Sequence, residues 1–191
     1  MDWESASDAD LSRQCRQGNA QAWRELIRRS TPTAYRVAMQ ILHDPAEAED
    51  ACQEVFLRMH RSFDSFDPTR TLKPWVGKIT YNVCLRRREG VIRKATFAVS
   101  PEQLNERHPG ADENPEAHAR KGEAGQYLEQ ALSALSAEDR ALLTLRYREG
   151  LSDSEVAEAS EMRVNTVKTR IFRARAQLKQ SLRRLLRGES L

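Results

Sequence analysis

The chain has 191 residues, of which 39% are hydrophobic, 31% charged and only 6% aromatic, with a formal net charge of +3. That length holds one domain or two small ones, and the charge content demands wide solvated faces around modest cores. No apolar run approaches the roughly 20 residues that cross a bilayer, and the opening MDWESASDAD is acidic where a secretory leader is basic, so membrane insertion is not expected and the cytoplasm is.

In chain order, the N-terminal half to about Arg93 keeps a helical period with almost no alternating segment. Trp23, Leu26, Ile27, Tyr35, Ala38, Ile41 and Leu42 recur at helical spacing, while Pro32 predicts a break into two pieces. Asp44-Pro45 followed by Glu47 supplies an Asp cap, Pro at the first helical position and an early acid, so the next helix runs from Pro45 to near Phe63. Ala48, Cys52, Val55, Phe56 and Met59 form its apolar side. Glu47, Glu49, Asp50, Gln53 and Glu54 form an acidic side with no basic residue before Arg58. Early acids suit the helix dipole, and a solvated face accounts for the cluster as well as an interface does.

SFDSFDPTRTL then interrupts the period with Pro and turn formers, a loop of about ten residues. The helix that follows, about Lys73 to Glu89, carries Trp75, Ile79 and Val83 on one side, together with Lys78, Tyr81, Asn82, Arg86, Arg87 and Arg88. Rings interleaved with cations suit unpaired bases, which stack on rings while cations follow phosphates. An amphipathic core helix with a basic end is the plainer explanation of Trp75. Residues 95–120 hold three of the seven prolines and five acids against two arginines, too little apolar surface to fold alone, and read as a flexible acidic linker. A second helical unit begins near Gly122, with Leu128, Leu132 and Leu135 on one face, Ser136 as a cap and Gly150 as a terminator.

LSDSEVAEASEMRVNTVKTRIFRARA, residues 151–176, reads as a helix-turn-helix. Ser152 and Glu155 form a capping box ahead of Val156 and Ala157. After the turn, Val164, Val167 and Ile171 face the core, leaving Asn165, Lys168, Thr169 and Arg173 to reach a major groove. From Val164 to Arg187 there is no acid, and the cations of that stretch make a polyanion the natural partner. Cys15, Cys52 and Cys84 are odd in number and widely spaced, and no histidines sit at ligand spacing, so buried thiols and no metal or cofactor are expected. No phosphate loop, nucleophile elbow or paired carboxylates offer catalysis a footing.

Three segments in order, DPAEAEDACQEVFLRMHRSFDSF, LKPWVGKITYNVCLRRRE and LSAEDRALLTLRYREGLSDSEVAEASEMRVNTVKTRIFRARAQL, resemble the sigma-70 family, specifically its extracytoplasmic-function (ECF) group. The resemblance implies an all-α, two-domain, non-enzymatic sigma factor: region 2 in residues 1–94, a linker in 95–121, and region 4 in 122–191. It implies that Glu49, Asp50, Gln53, Glu54 and Leu57 dock on the polymerase β′ clamp helices. It further implies that Phe66, Asp67, Thr69, Arg70, Lys78, Asn82 and Arg86 hold the −10 strand, with a flipped base captured by the loop from Ser65 to Leu72. Arg163, Asn165, Thr166, Lys168, Thr169, Arg170, Arg173 and Arg175 are then the −35 readers. The β flap, promoter DNA and an anti-sigma factor are the other implied partners. The rival reading is a stand-alone helix-turn-helix regulator. Two departures from the family pattern stand out: Glu161 replaces the usual turn Gly, and Arg163 the usual Ser before the recognition helix. Each costs about 1 kcal/mol, and Asn165 is the expected substitute cap.

Overall fold

The computed structural model describes residue 3, residues 5–98 and residues 123–187, and among these no strand occurs. The N-terminal half supplies α1 (Asp8–Arg16), α2 (Ala20–Leu42), α3 (Pro45–Ser62) and α4 (Leu72–Ala98). The C-terminal half supplies α5 (Glu123–Ser133), α6 (Ala137–Leu143, continued by one π turn over Thr144–Arg148), α7 (Asp153–Ser160) and α8 (Val164–Leu186).

Local chemistry sets most boundaries. Ser7, Asn19, Asp44, Ser136 and Ser152 each accept a backbone N–H of the first turn they precede, which satisfies donors the helix itself leaves open. The Ser152–Glu155 box is complete, with the Ser152 amide donating to Glu155 Oε2 at 2.8 Å. Pro32 does not divide α2, contrary to the expectation. It and Arg28 lie on the exposed side, while the buried side packs without interruption. α4 runs nine residues past the expected end at Glu89, into the stretch expected as linker; residues 99–122 lie outside the described residues.

In the N-terminal half, Leu26, Val37 and Ile41 of α2 meet Val55 and Met59 of α3 and Val76 and Val83 of α4, all almost wholly buried. At one end of this bundle Trp23, Phe63, Phe66 and Trp75 form an aromatic cluster, with centroids of 4.6 Å for Trp23–Phe63 and 5.0 Å for Phe66–Trp75. It turns the chain from α3 into α4 over a short 3-10 segment, Phe63–Ser65. The three thiols are buried and free; burial pushes Cys84 up to about 12 and Cys15 and Cys52 up to about 11. Leu128, expected in the core, is exposed, and α5 instead buries Ala131.

The two halves pack on each other, α2 against α6 and α4 against α7, and their buried apolar residues form one continuous cluster. At the centre of the contact lies Glu149, whose carboxylate is wholly buried. It accepts from Arg36 Nε at 2.6 Å and from Thr33 Oγ1 at 2.6 Å. The π turn delivers it: the Glu149 amide closes on the Thr144 carbonyl, and Gly150, at φ +77, then redirects the chain. Gly77 of α4 permits the approach, because a Cβ there would stand 2.8 Å from Leu145 Cδ2. Arg140, 4% exposed, donates to the carbonyls of Leu135 at 2.6 Å and Gln40 at 3.0 Å, joining the ends of α5 and α2. Burial holds its pKa down at about 10, and the negative ends of the two helix dipoles favour its charge there.

Burial alone would raise the Glu149 pKa, but the bonds from Arg36 and Thr33 bring it below the ordinary glutamate value. Arg36→Ala leaves that carboxylate buried without its cation, and a loss of about 2 to 3 kcal/mol is expected from urea unfolding at pH 7. Because the folded state holds the carboxyl more acidic, this contribution is complete above about pH 4.3 and is lost as pH falls through the folded value. The wild-type and Arg36→Ala curves should therefore converge in acid. Phe66→Ala should cost about 3 to 4 kcal/mol by the same measurement, and Arg70→Ala, a half-exposed pair, less than about 1 kcal/mol.

Candidate nucleic-acid and partner interfaces

The first surface is the exposed ridge of α8. Arg163, Asn165, Thr166, Lys168, Thr169, Arg173 and Arg175 all reach solvent from it. α7 ends with Glu161 in the left-handed conformation, φ 56, as the departure from Gly requires, and the Met162 amide closes the turn on the Ala157 carbonyl. Arg163 caps α8 with extended backbone but no side-chain bond. Asn165 does not substitute, because it already lies inside the first helical turn, where a cap's extended backbone is not available. Val164, expected in the core, is exposed, while Val167 and Ile171 are buried as expected. Arg170 leaves the ridge: it donates to Asp139 at 2.7 Å and Glu138 at 2.6 Å, at the start of α6. Phe172, 74% exposed, was not among the expected contacts; its place one residue beyond Ile171 rotates it off the core face. Arg175 and Arg146 flank the Tyr147 ring, with Arg175 at 5.5 Å from its centroid.

A second surface is a cleft of about 600 Å³ between the 65–71 loop, α4 and α7. Arg58, Arg61, Arg70, Lys78 and Arg86 line it, with Asn82 and Trp75. Arg58 and Arg61 were missed by the sequence reading, although their spacing of three at the end of α3 places them on one face. The expected loop residues divide. Phe66 is almost wholly buried in the aromatic cluster, holds the loop, and borders the cleft from within that cluster. Asp67 accepts from Thr69 Oγ1 at 2.7 Å and from the Thr69 amide at 2.9 Å, and these bonds lower its pKa. Tyr81, read as part of the aromatic and basic set, is 1% exposed and packs inward.

The third surface is on α3, where Glu49, Asp50, Gln53 and Leu57 are exposed along one stripe, Leu57 to 59%. Exposed acids followed at helical spacing by an apolar side chain suit a basic, apolar partner groove. Glu54 stands apart from them. Arg58 reaches it at 2.6 Å and Arg87 of α4 at 2.9 Å, so the acidic face does have basic partners, supplied from a second helix. Burial opposes its charge, and the two guanidinium bonds outweigh it to leave the pKa lowered. Among the described residues no His, Cys, Asp and Glu group is placed to hold a metal, and no helix is long and apolar enough to cross a membrane.

The sigma-70 region 2 family model matches residues 26–91, and the sigma-70 region 4 model matches residues 125–178. The ECF RNA polymerase sigma factor SigE of Mycolicibacterium smegmatis is 36% identical over 163 residues, 84% of this chain; the chain spans 62% of that relative's length. The ECF RNA polymerase sigma factor SigM of Mycobacterium tuberculosis is 30% identical over 97% of this chain and 89% of its own. Among solved structures, the sigma factor RpoE from Bartonella quintana, in complex with the anti-sigma factor NepR, superposes with a TM-score of 0.59 at 24% identity, covering 81% of this chain and 92% of that one, a likeness of fold. With both family regions matched in order and a relative covered almost end to end, this chain belongs to the sigma-70 family as an ECF-type sigma factor, a transcription-initiation factor and not an enzyme.

Proposed function

We propose that the chain divides the work of promoter recognition between its halves: residues 1–94 bind core polymerase and the −10 strand, and residues 122–191 read the −35 duplex, joined through 95–121. The chain is an alternative sigma factor that directs RNA polymerase to specific promoters and assists their opening. The observation that carries the division is the segregation of exposed charge. An acidic stripe with Leu57 at its edge lies on α3, a cationic cleft lies beside α4, and a cationic ridge lies on α8.

The α3 stripe of Glu49, Asp50, Gln53 and Leu57 is the docking surface for the β′ clamp helices, with Glu54 acting through its hold on Arg58 and Arg87. The cleft holds single-stranded −10 DNA, its cations on phosphates and its 600 Å³ large enough for an extruded base. On α8, Asn165 and Lys168 stand nearest the helix start, where side chains meet base edges, and Arg173 and Arg175 lie farther along, toward phosphates. The other half of the polymerase contact, at the β flap, falls to residues 122–191. An anti-sigma factor is a further partner by analogy with RpoE, and such work places the protein in the cytoplasm. A stand-alone regulator has use for α8 alone and none for the other two surfaces.

Asp50→Lys reverses an exposed charge and touches no buried group, so affinity for core polymerase should fall at least about tenfold with helical circular dichroism unchanged. Anisotropy of the labelled chain titrated with core enzyme measures this. Undiminished affinity would remove α3 as the docking surface. In gel shifts with core enzyme, Arg173→Ala should weaken all −35 variants alike, whereas Lys168→Ala should change the preference among them.

A further inference from the structure

The loop between α3 and α4 is fixed in place by a helix that does not border the cleft. At its start the Phe66 ring is set in the aromatic cluster, and Arg16, the last residue of α1, donates from Nη2 to the Phe66 carbonyl and, at 3.4 Å, to that of Asp64. At its close the Leu72 amide, the first of α4, donates to Oδ2 of Asp8 at 3.0 Å, and Asp8 is the first residue of α1. A carboxylate there satisfies an amide that α4 cannot bond itself and sits at the positive end of its dipole. The two ends of α1 thus hold the two ends of the loop. Between them the Arg70 amide closes a turn on the Asp67 carbonyl at 3.0 Å, and the Asp67 carboxylate takes both Thr69 donors, which leaves Thr69 and Arg70 exposed.

α1 is itself anchored on α2. Arg29 donates to the buried Glu25 at 2.7 Å, to Oδ1 of Asp8 at 3.4 Å and to the Trp3 carbonyl at 2.7 Å, while Leu11 and Cys15 bury the other side of α1. Neither Asp8 nor Arg16 lines the cleft. Resting on the −10 reading above, we infer that α1 is the frame of the −10 loop: Asp8 and Arg16 are positioning residues that set the geometry of residues 67–71, and with it the choice among bases, without meeting DNA. Discrimination is a difference of affinities, and it survives only while the groups that bond the correct base are held where a wrong base cannot use them. A loop freed at either end adapts to several bases, so selectivity falls further than binding.

The test uses the full chain with core polymerase on a duplex library randomised at its −10 and −35 positions, with the bound DNA sequenced and the two profiles read separately. Arg16→Ala, which removes an exposed side chain and opens no cavity, should reduce the preference for the best over the median −10 sequence about fivefold and leave the −35 profile unchanged. Asp8→Ala should do the same, whereas Asp8→Asn, which keeps an acceptor for the Leu72 amide, should retain most of the −10 preference. Ile41→Val, a small cavity in the core of the same bundle, controls for lost stability and should leave both profiles as they are. If Arg16→Ala and Asp8→Ala keep the wild-type −10 profile while Arg70→Ala changes it, or if Ile41→Val flattens that profile as much as they do, the frame is refuted and the −10 reading stands. If Arg70→Ala also leaves the −10 profile unchanged, both fall.

Discussion

The buried carboxylate of Glu149 is the constraint on which the rest of the molecule depends. It comes from one half of the chain and is held by Arg36 and Thr33 of the other, at 2.6 Å to each. A buried ion pair adds little net stability over a well-packed apolar contact, since desolvation offsets much of the attraction. Its effect is on register. Only one placement of α6 on α2 satisfies all three groups, and a slip would strand a charge out of water. The neighbouring details serve that placement: the π turn that presents Glu149, the left-handed Gly150 after it, and Gly77, where a side chain would meet Leu145.

Once that register is set, the functional surfaces follow. α4 contributes its apolar side to the shared core and its polar side to the cleft, and α7 comes to lie across that cleft. The α3 stripe and the α8 ridge remain open in the same state. In this arrangement Glu158 of α7 and Glu161 after it bond Arg70 and Asn82 on the α4 side of the cleft.

What the residues reveal in advance is what depends on near neighbours. The Asp44 and Ser136 caps, the Ser152–Glu155 box, the left-handed Glu161 and the buried thiols are local events, and each is legible from a few adjacent side chains. The positions whose surroundings differ from the local pattern depend on partners far along the chain. Arg170 leaves the α8 ridge because Glu138 and Asp139 await it, Glu54 is neutralised by Arg87 from 33 residues away, and Phe66 is drawn into a core that its turn-rich surroundings conceal. Pro32 misleads for a different reason: its cost depends on which side of the helix it occupies, and burial decides that. Packing of the two halves was invisible for the same cause, since Thr33, Arg36 and Glu149 are individually ordinary residues.

The central claim, that the two halves form one body in the free chain, is tested most directly by small-angle X-ray scattering of the full-length protein alone. A single closed body of this length has a radius of gyration of about 16 Å. Two halves tumbling apart, with their facing ends roughly 30 Å apart, would give roughly 25 Å. The account predicts the smaller value for the wild type and an increase for Arg36→Ala. A wild-type value near 25 Å, unchanged by that substitution, would contradict it.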